Sequence, residues 1–336
     1  MALRICVIGY KNHAGRLIRL LSDLESVGTI EIFHPDIEKV KQSLRSFSGK
    51  VSGTDDWSSL TTSDAFVISS PNETHVEYLR KLKQLSSTTD TFPYVYCEKP
   101  CGTSDEELIW LDKQDEKIKK KILFGFNYRF SPIYRKMKEL VHSKKYDDPI
   151  YANFISTHGL AFKTPTANDW RFNSNNLFSR ITGNVGIHYV DMAIGLFGDV
   201  KHIIVKEKKV AGHNAVDSCI ITMFFRGGIT ANIFLSYASV FSKSSEIYMT
   251  NGLLRSDETN IKLYHPRDTL NSMGEFCSPE PSIINVRSRD RSEETGLTGI
   301  INHFVETSKN KTSFNIDDFS MSLKATELLL SAEFRD

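Results

Sequence analysis

Two side chains in this sequence have the chemistry and the setting to move a proton. Lys99 follows the apolar run 94–97 as Glu98-Lys99-Pro100, where proline ends the run. A free lysine, with a pKa of about 10.4, is a poor base at neutral pH, but burial beside another cation lowers that value and makes the amine competent. His188 lies in Asn184-Val185-Gly186-Ile187-His188-Tyr189-Val190-Asp191. Positions 184, 188 and 191 fall at i, i+4 and i+7, so an Asn, a His and an Asp share one face of a helix whose other face is apolar. Imidazole can accept, donate or orient a proton near neutral pH. The carboxamide of Asn184 can hydrogen-bond but cannot act as a base.

A third group of residues points to an anion. The apolar run Leu3 to Ile8 reads as a buried strand and leads into Gly9-Tyr10-Lys11-Asn12-His13-Ala14-Gly15. A strand, a tight glycine turn and a helix N-terminus together present N–H groups and a positive helix end to a pyrophosphate. Against G-x-G-x-x-G/A, Gly9 and Ala14 fit, while Lys11 stands in the place of the second glycine. Side-chain donors from Lys11 or Asn12 can compensate for the lost backbone approach. At the end of the second strand, where an acidic residue usually meets the adenosine ribose, stands His34, and no arginine follows at once to receive a 2′-phosphate. The balance for a dinucleotide, NAD or NADP, leans to NAD. Residues 65–69 read as another strand, ending in the turn Ser70-Pro71-Asn72 at the carboxyl edge where open α/β sheets bind ligands.

The elements that must position these groups follow from the hydrophobic pattern. Strands over 3–8, 29–33, 65–69, 94–97 and 122–126 alternate with helical patterns, such as Leu17, Ile18, Leu20, Leu21 and Leu24. Right-handed crossovers make this an α/β, doubly wound Rossmann domain over residues 1–125. After residue 125 a helix at 132–141 precedes strands at 150–157, 202–210, 218–225, 230–236 and 245–249, some joined by tight turns such as Arg226-Gly227-Gly228. Such a meander implies a C-terminal α+β domain, residues 126–336, with a large, mostly antiparallel open sheet. Residues 267–297 read as a long surface loop, and helical patterns close the chain at 300–305 and 319–332.

Forty-two basic against 41 acidic residues leave a formal charge of +1. No global field therefore favours nucleic acid or an anionic membrane, and the mixed-sign run 113–121 reads as a solvated helix face. Five scattered cysteines offer no paired CxxC motifs, so no metal site is expected, and a reduced, cytoplasmic protein is. The apolar run at the start is too short for a signal sequence or a membrane span.

With Glu98-Lys99-Pro100, the Ser70-Pro71-Asn72-Glu73-Thr74-His75 turn and N-x-G-x-H-x-x-D at 184–191, the chain resembles the Gfo/Idh/MocA family of oxidoreductases, which includes glucose-fructose oxidoreductase and inositol dehydrogenase. Gly125-Phe126-Asn127-Tyr128-Arg129-Phe130 is similar to that family's entry into its second domain, and Thr250-Asn251-Gly252-Leu253-Leu254 to a late strand turn, so the likeness spans nearly the whole chain. The resemblance implies hydride transfer between a nicotinamide and a hydroxyl or keto carbon of a sugar, polyol or nucleotide-sugar. It implies Lys99 as the catalytic lysine, His188 as the histidine on the reacting hydroxyl, Asn184 as its neighbour, and a cis Lys99–Pro100 bond. Cofactor contacts would come from Gly9, Tyr10, Lys11, Asn12, His34, Ser70, Pro71, Asn72, His75, Glu98, Lys99 and Asn127. Substrate contacts would come from Lys99, Arg129, Trp170, Arg171, Asn184 and His188, with the arginines meeting an anionic group. The second domain's open sheet would support a homo-oligomer, a dimer or a tetramer.

Two departures matter. Most relatives carry an aspartate at the place of Asn184, and Ser179-Arg180 replaces a usual glycine pair. Lys11 and Asn184 favour an alternative, a family member without turnover that senses a cofactor or sugar. Retention of Glu98, Lys99 and His188 together favours the enzyme.

Overall fold

The computed structural model describes residues 2–44, 47, 49–86, 91–163, 176–212, 214–257, 259–286 and 292–335. The expected substrate contacts Trp170 and Arg171 lie outside the described residues. Two compact units divide the chain, one formed by residues 1–126 and 298–327, the other by 127–297 and 328–336.

In the first unit the strands are β1 (Leu3–Ile8), β2 (Val27–Phe33), β3 (Val51–Thr54), β4 (Ala65–Ile68), β5 (Tyr94–Cys97) and β6 (Ile122–Phe124). All pairings are parallel, in the order β3-β2-β1-β4-β5-β6, which is the doubly wound order. Helices α1 (Asn12–Ser22), α2 (Ile37–Leu44), α3 (His75–Ser86) and α4 (Asp105–Asp112) make the crossovers. Parallel sheets are covered on both faces, and β4 and β5 accordingly have every residue buried. α1 buries Ala14, Leu17, Ile18 and Leu21, one stripe at helical spacing, against this sheet.

The sequence pattern missed β3. Its Val-Ser-Gly-Thr run is short and half-exposed at the sheet edge, and only pairing with β2 makes it a strand. The division expected after residue 125 falls at Phe126, while residues 298–327, expected in the second domain, return to the first unit. Aromatic packing explains the return: the rings of Tyr96 and Phe304 lie 6.0 Å apart and those of Phe124 and Phe319 5.4 Å apart. The Tyr94 hydroxyl also donates to the Thr312 carbonyl at 2.7 Å.

The second unit contains α5 (Pro132–His142), β7 (Pro149–Thr157), α6 (Gly186–Phe197), β8 (Val200–Lys208), β9 (Ser218–Phe225), β10 (Thr230–Ser236) and β11 (Ser242–Met249). The sheet continues through β12 (Gly252–Ser256), β13 (Asn260–Tyr264), β14 (Ser282–Asn285) and β15 (Glu333–Arg335), whereas the closing helices α7 (Ser292–Asn310) and α8 (Ile316–Leu330) fall mostly in the first unit. The sheet order is β14-β13-β12-β11-β7-β10-β9-β8-β15. Among the described strands of this sheet only β7–β10 and β8–β15 pair in parallel. The surface loop expected at 267–297 is therefore interrupted by β14 and by the start of α7. Along β9 and β10 burial alternates: Ile221, Met223, Ile233 and Leu235 face the core, while Ile220 and Phe234 are exposed on the other face.

Candidate functional site

In the first unit three strands end side by side. The pairings set Ile8 of β1 beside Ile68 of β4, and Ile68 beside Cys97 of β5, so the turns after them share one edge of the sheet. Gly9 has φ of 122°, and a Cβ there would lie 2.4 Å from the Ser69 carbonyl oxygen. Only glycine lets the β1 turn pass this close to β4. Lys11, by contrast, occupies extended backbone (φ −73°, ψ −176°) open to any residue, so losing the second glycine leaves the turn intact. α1 begins at the next residue, and no side chain caps it, which leaves its first N–H groups to face an anion. A cradle closed to any Cβ at Gly9 and opening onto a helix start fits a pyrophosphate.

At the end of β2, Tyr10 sets its ring edge against His34 with centroids 4.8 Å apart. The Asp36 backbone N–H donates to His34 Nδ1 at 2.9 Å, while the Asp36 carboxylate turns to Lys39 at 3.1 Å. The acid nearest the ribose position is therefore two residues late and already paired.

Glu98 is the electrostatic centre of this edge. It is 8% exposed and accepts hydrogen bonds on Oε1 from the Tyr96 hydroxyl at 2.6 Å and from His13 Nε2 at 2.7 Å. Burial works against its charge, but the His13 imidazole, the Tyr96 hydroxyl and the Lys99 ammonium outweigh it and hold the carboxyl down at about 2. Burial and the Glu98 charge push the Tyr96 hydroxyl well above its ordinary range, so it stays a donor. Lys99 follows at once, and the Lys99–Pro100 bond is cis.

His75, expected among the cofactor contacts, is fully buried. Its Nδ1 lies 2.9 Å from the Pro100 carbonyl and its Nε2 3.1 Å from the Ser70 carbonyl. Burial lowers its pKa, so the neutral ring packs between the Ser70 and Pro100 turns and its single N–H donates to one of the two carbonyls. That makes it a support for Ser70, Pro71 and Asn72 rather than a surface for a ligand. Thr74 Oγ1 further steadies the turn by donating to Ser70 Oγ at 2.7 Å.

In the second unit the expected stripe of Asn184, His188 and Asp191 does not lie on one helix. A single helical turn, Ile181–Asn184, ends at Val185 and α6 starts afresh at Gly186. Gly183 pins that turn, since a Cβ there would lie 2.4 Å from the Leu177 carbonyl oxygen. The three side chains then go different ways. Asn184 Nδ2 donates to the Tyr237 hydroxyl at 3.1 Å. His188 stacks on Tyr128, with centroids 4.8 Å apart and planes 19° apart, and Lys243 Nζ lies 5.3 Å from the centre of the Tyr128 ring.

Asp191 is wholly buried against Arg129, whose Nε donates to Oδ2 at 2.9 Å while Nη2 meets Oδ1. Arg129, expected to bind a substrate anion, has its charge matched by this internal carboxylate, because its side chain is only 8% exposed. Arg180, standing in the place of a glycine, reaches Glu207 on β8 at 2.8 Å, so the replacement is absorbed by an ion pair. Asn127, expected among the cofactor contacts, opens the second unit in a 3-10 turn that runs to Phe130. A pocket open to solvent is lined by Tyr128 and Lys243, with Ser131, Ser245 and Ser256 in its wall but neither His188 nor Asn184.

Known proteins match both units. The sequence model of the oxidoreductase family, NAD-binding Rossmann fold, matches residues 3–126. That of the GFO/IDH/MocA C-terminal domain matches residues 134–255. The chain belongs to the Gfo/Idh/MocA family. Among curated Gfo/Idh/MocA relatives, glucose-6-phosphate 3-dehydrogenase of Bacillus subtilis (strain 168) is 26% identical over 197 residues, covering 58% of this chain and 53% of its own. Myo-inositol 2-dehydrogenase of Thermotoga maritima is 26% identical over 214 residues, covering 60% and 59%. The chain thus spans about half the length of the curated relatives it matches. Among solved structures, levoglucosan dehydrogenase in complex with NADH and levoglucosan superposes with a TM-score of 0.78 at 16% identity, over 98% of this chain and 95% of that one. An oxidoreductase from Agrobacterium radiobacter with NAD+, L-tartaric acid and magnesium gives 0.77 at 17% identity, over 99% and 95%. These solved structures share the fold of this chain.

Reading the sequence for site residues missed His13, Tyr96, Tyr128 and Tyr237. Tyr96 could have been found, since it is two residues before Glu98 and a strand repeats its face every second residue. His13 sits inside the quoted glycine turn, but its partner is 85 residues away. Nothing local marks Tyr128 or Tyr237.

Proposed function

We propose that the protein is an NAD(P)-dependent oxidoreductase acting on a hydroxyl or keto carbon of a sugar, polyol or nucleotide-sugar. The observation that carries this reading is the buried Glu98, bonded to His13 and Tyr96 directly before Lys99, at the carboxyl edge that also holds the Gly9 cradle. When bound, the nicotinamide supplies the hydride acceptor or donor. Gly9, Tyr10, Lys11 and Asn12 hold the pyrophosphate, and Ser70, Pro71 and Asn72 shape the nicotinamide half with Asn127. His34 meets the adenosine ribose, and with no arginine directly after it NAD is the proposed cofactor over NADP.

Lys99 takes the hydroxyl proton during oxidation and returns it during reduction. The Glu98 charge stabilises the ammonium that Lys99 becomes when it takes that proton. His188 hydrogen-bonds the reacting oxygen, held by its stack on Tyr128, and Asn184 orients the substrate from its bond to Tyr237. Arg171 and Trp170 complete the substrate contacts. The named sugar and inositol dehydrogenases among the relatives support this substrate class. Four buried free cysteines suit a reducing cytoplasm.

A titration of NADH fluorescence followed by a screen of sugars and polyols for nicotinamide absorbance change tests the reading. Lys99→Ala is expected to lower kcat by about a thousandfold with cofactor Kd nearly unchanged. Tight cofactor binding with no turnover on any substrate would return the sensor alternative.

The same proposal includes a dimer or tetramer through the open sheet face, where Phe234 pairs in register with Ile155 on one side and Ile220 on the other. Sedimentation of Phe234→Glu is expected to show a smaller species than the wild type, and an unchanged species would remove that face from the interface.

A further inference from the structure

We infer that His13, through its bond to Glu98, sets which redox form of the nicotinamide cofactor the first unit prefers. This rests on the cofactor reading above and makes His13 a positioning residue, one that acts by balancing charge.

The argument starts from strand order. His13 lies in the first turn of α1, directly after β1, and Glu98 follows β5, with β4 between those two strands. Neighbouring strands are about 4.8 Å apart, so the 2.7 Å bond from His13 Nε2 to Glu98 Oε1 reaches over the end of β4. In a doubly wound sheet the β1 turn takes the pyrophosphate and the end of β2 takes the adenosine ribose. The nicotinamide half is therefore left to the other side of β1, over the ends of β4 and β5, where this pair stands.

The two partners differ in freedom. The Glu98 side chain is 10% exposed and also held by Tyr96, whereas the His13 side chain is 43% exposed. The carboxylate is thus a fixed negative charge, and position 13 is the adjustable one. An oxidised nicotinamide ring carries a positive charge and a reduced ring carries none, so a bare carboxylate nearby favours the oxidised form. A positive charge at position 13 cancels that preference. The other charged or titratable groups that act on Glu98 or on its neighbour His75 are Tyr96 from β5, Lys99 just after it, and His75 itself from α3, while Lys11 and Arg16 lie near His13 in sequence at the start of α1. Lys99 and Arg16 have interactions of their own, while His13 and Tyr96 bond Glu98 through their side chains.

A charge ladder on the full-length protein tests this. Dissociation constants for NAD+ and NADH, and for the 2′-phosphorylated pair in parallel, are measured by fluorescence for wild type, His13→Gln and His13→Lys. The ratio Kd(NADH)/Kd(NAD+) is expected to fall in the order Gln, wild type, Lys, with about fivefold or more between the two variants. Glu98→Gln should move the ratio opposite to His13→Gln. Thermal melting of each variant reports whether it folds, and the two substitutions at position 13 keep the ladder readable if one is unstable. If both constants change together and the ratio stays within twofold across the ladder, His13 is only structural and the inference is wrong. If no form of the protein binds any of these cofactors, the cofactor reading itself falls and takes the inference with it.

Discussion

Each unit of this protein buries acid, and Asp191 in the second and Glu98 in the first are satisfied in opposite ways. Asp191 is closed off completely, with two contacts to an arginine that is itself buried. Glu98 is held by a tyrosine hydroxyl and by an imidazole that still meets solvent, and its charge persists although burial opposes it. An ion pair closed on itself offers nothing to a ligand and holds a helix, α6, to the turn at Arg129. A carboxylate stabilised by donors of little or adjustable charge keeps a field that a bound molecule can feel. Burial alone therefore does not separate scaffold from site; what matters is whether the neighbours cancel the charge.

The largest effect that would test this contrast is at Asp191. Asp191→Ala strands a buried guanidinium and is expected to cost about 3–5 kcal/mol in denaturant unfolding, whereas Asp191→Leu combined with Arg129→Met should recover most of that loss. A small cost for the single change would mean that water reaches Arg129.

Glu98→Gln comes next. The folded-state pKa of Glu98 lies at about 2, below the ordinary 4.5, so its contribution is complete above about pH 4.5 and is lost as the pH falls through 2. Urea titrations from pH 7 down to pH 2 should show the variant less stable by up to about 3 kcal/mol at neutral pH, with the gap closing in acid. A gap independent of pH would indicate that packing rather than charge is lost.

The smallest effect belongs to Tyr237→Phe, which removes the acceptor for Asn184 Nδ2. A drop of about fivefold in kcat/KM, with melting temperature nearly unchanged, is expected. Equal loss of stability and activity would make Tyr237 a core residue with no part in orienting Asn184.

How far these features could be read beforehand depends on distance along the chain. β1, β4 and β5 were legible because parallel strands covered on both faces are short unbroken apolar runs, and α1 because its stripe repeats at helical spacing. Gly9, Glu98 and Lys99 were legible for the same reason, since they are the first residues beyond those runs. β3 was not, because a four-residue polar strand has no period of its own. The face shared by Asn184, His188 and Asp191 was inferred from spacing that holds only within one helix, and the restart at Gly186 removes that premise.

The amino-acid order by itself determined the strand ends, the helix starts and hence which chemically able side chains sit at the edge of the nucleotide-type sheet, because these follow from local hydrophobic period and turn residues. Only the tertiary structure decided which charges are spent. Arg129 meets Asp191 across 62 residues of sequence and His13 meets Glu98 across 85. Such partners are chosen by where packed strands and helices bring side chains within a few ångströms in a low-dielectric interior, and no local pattern encodes that distance.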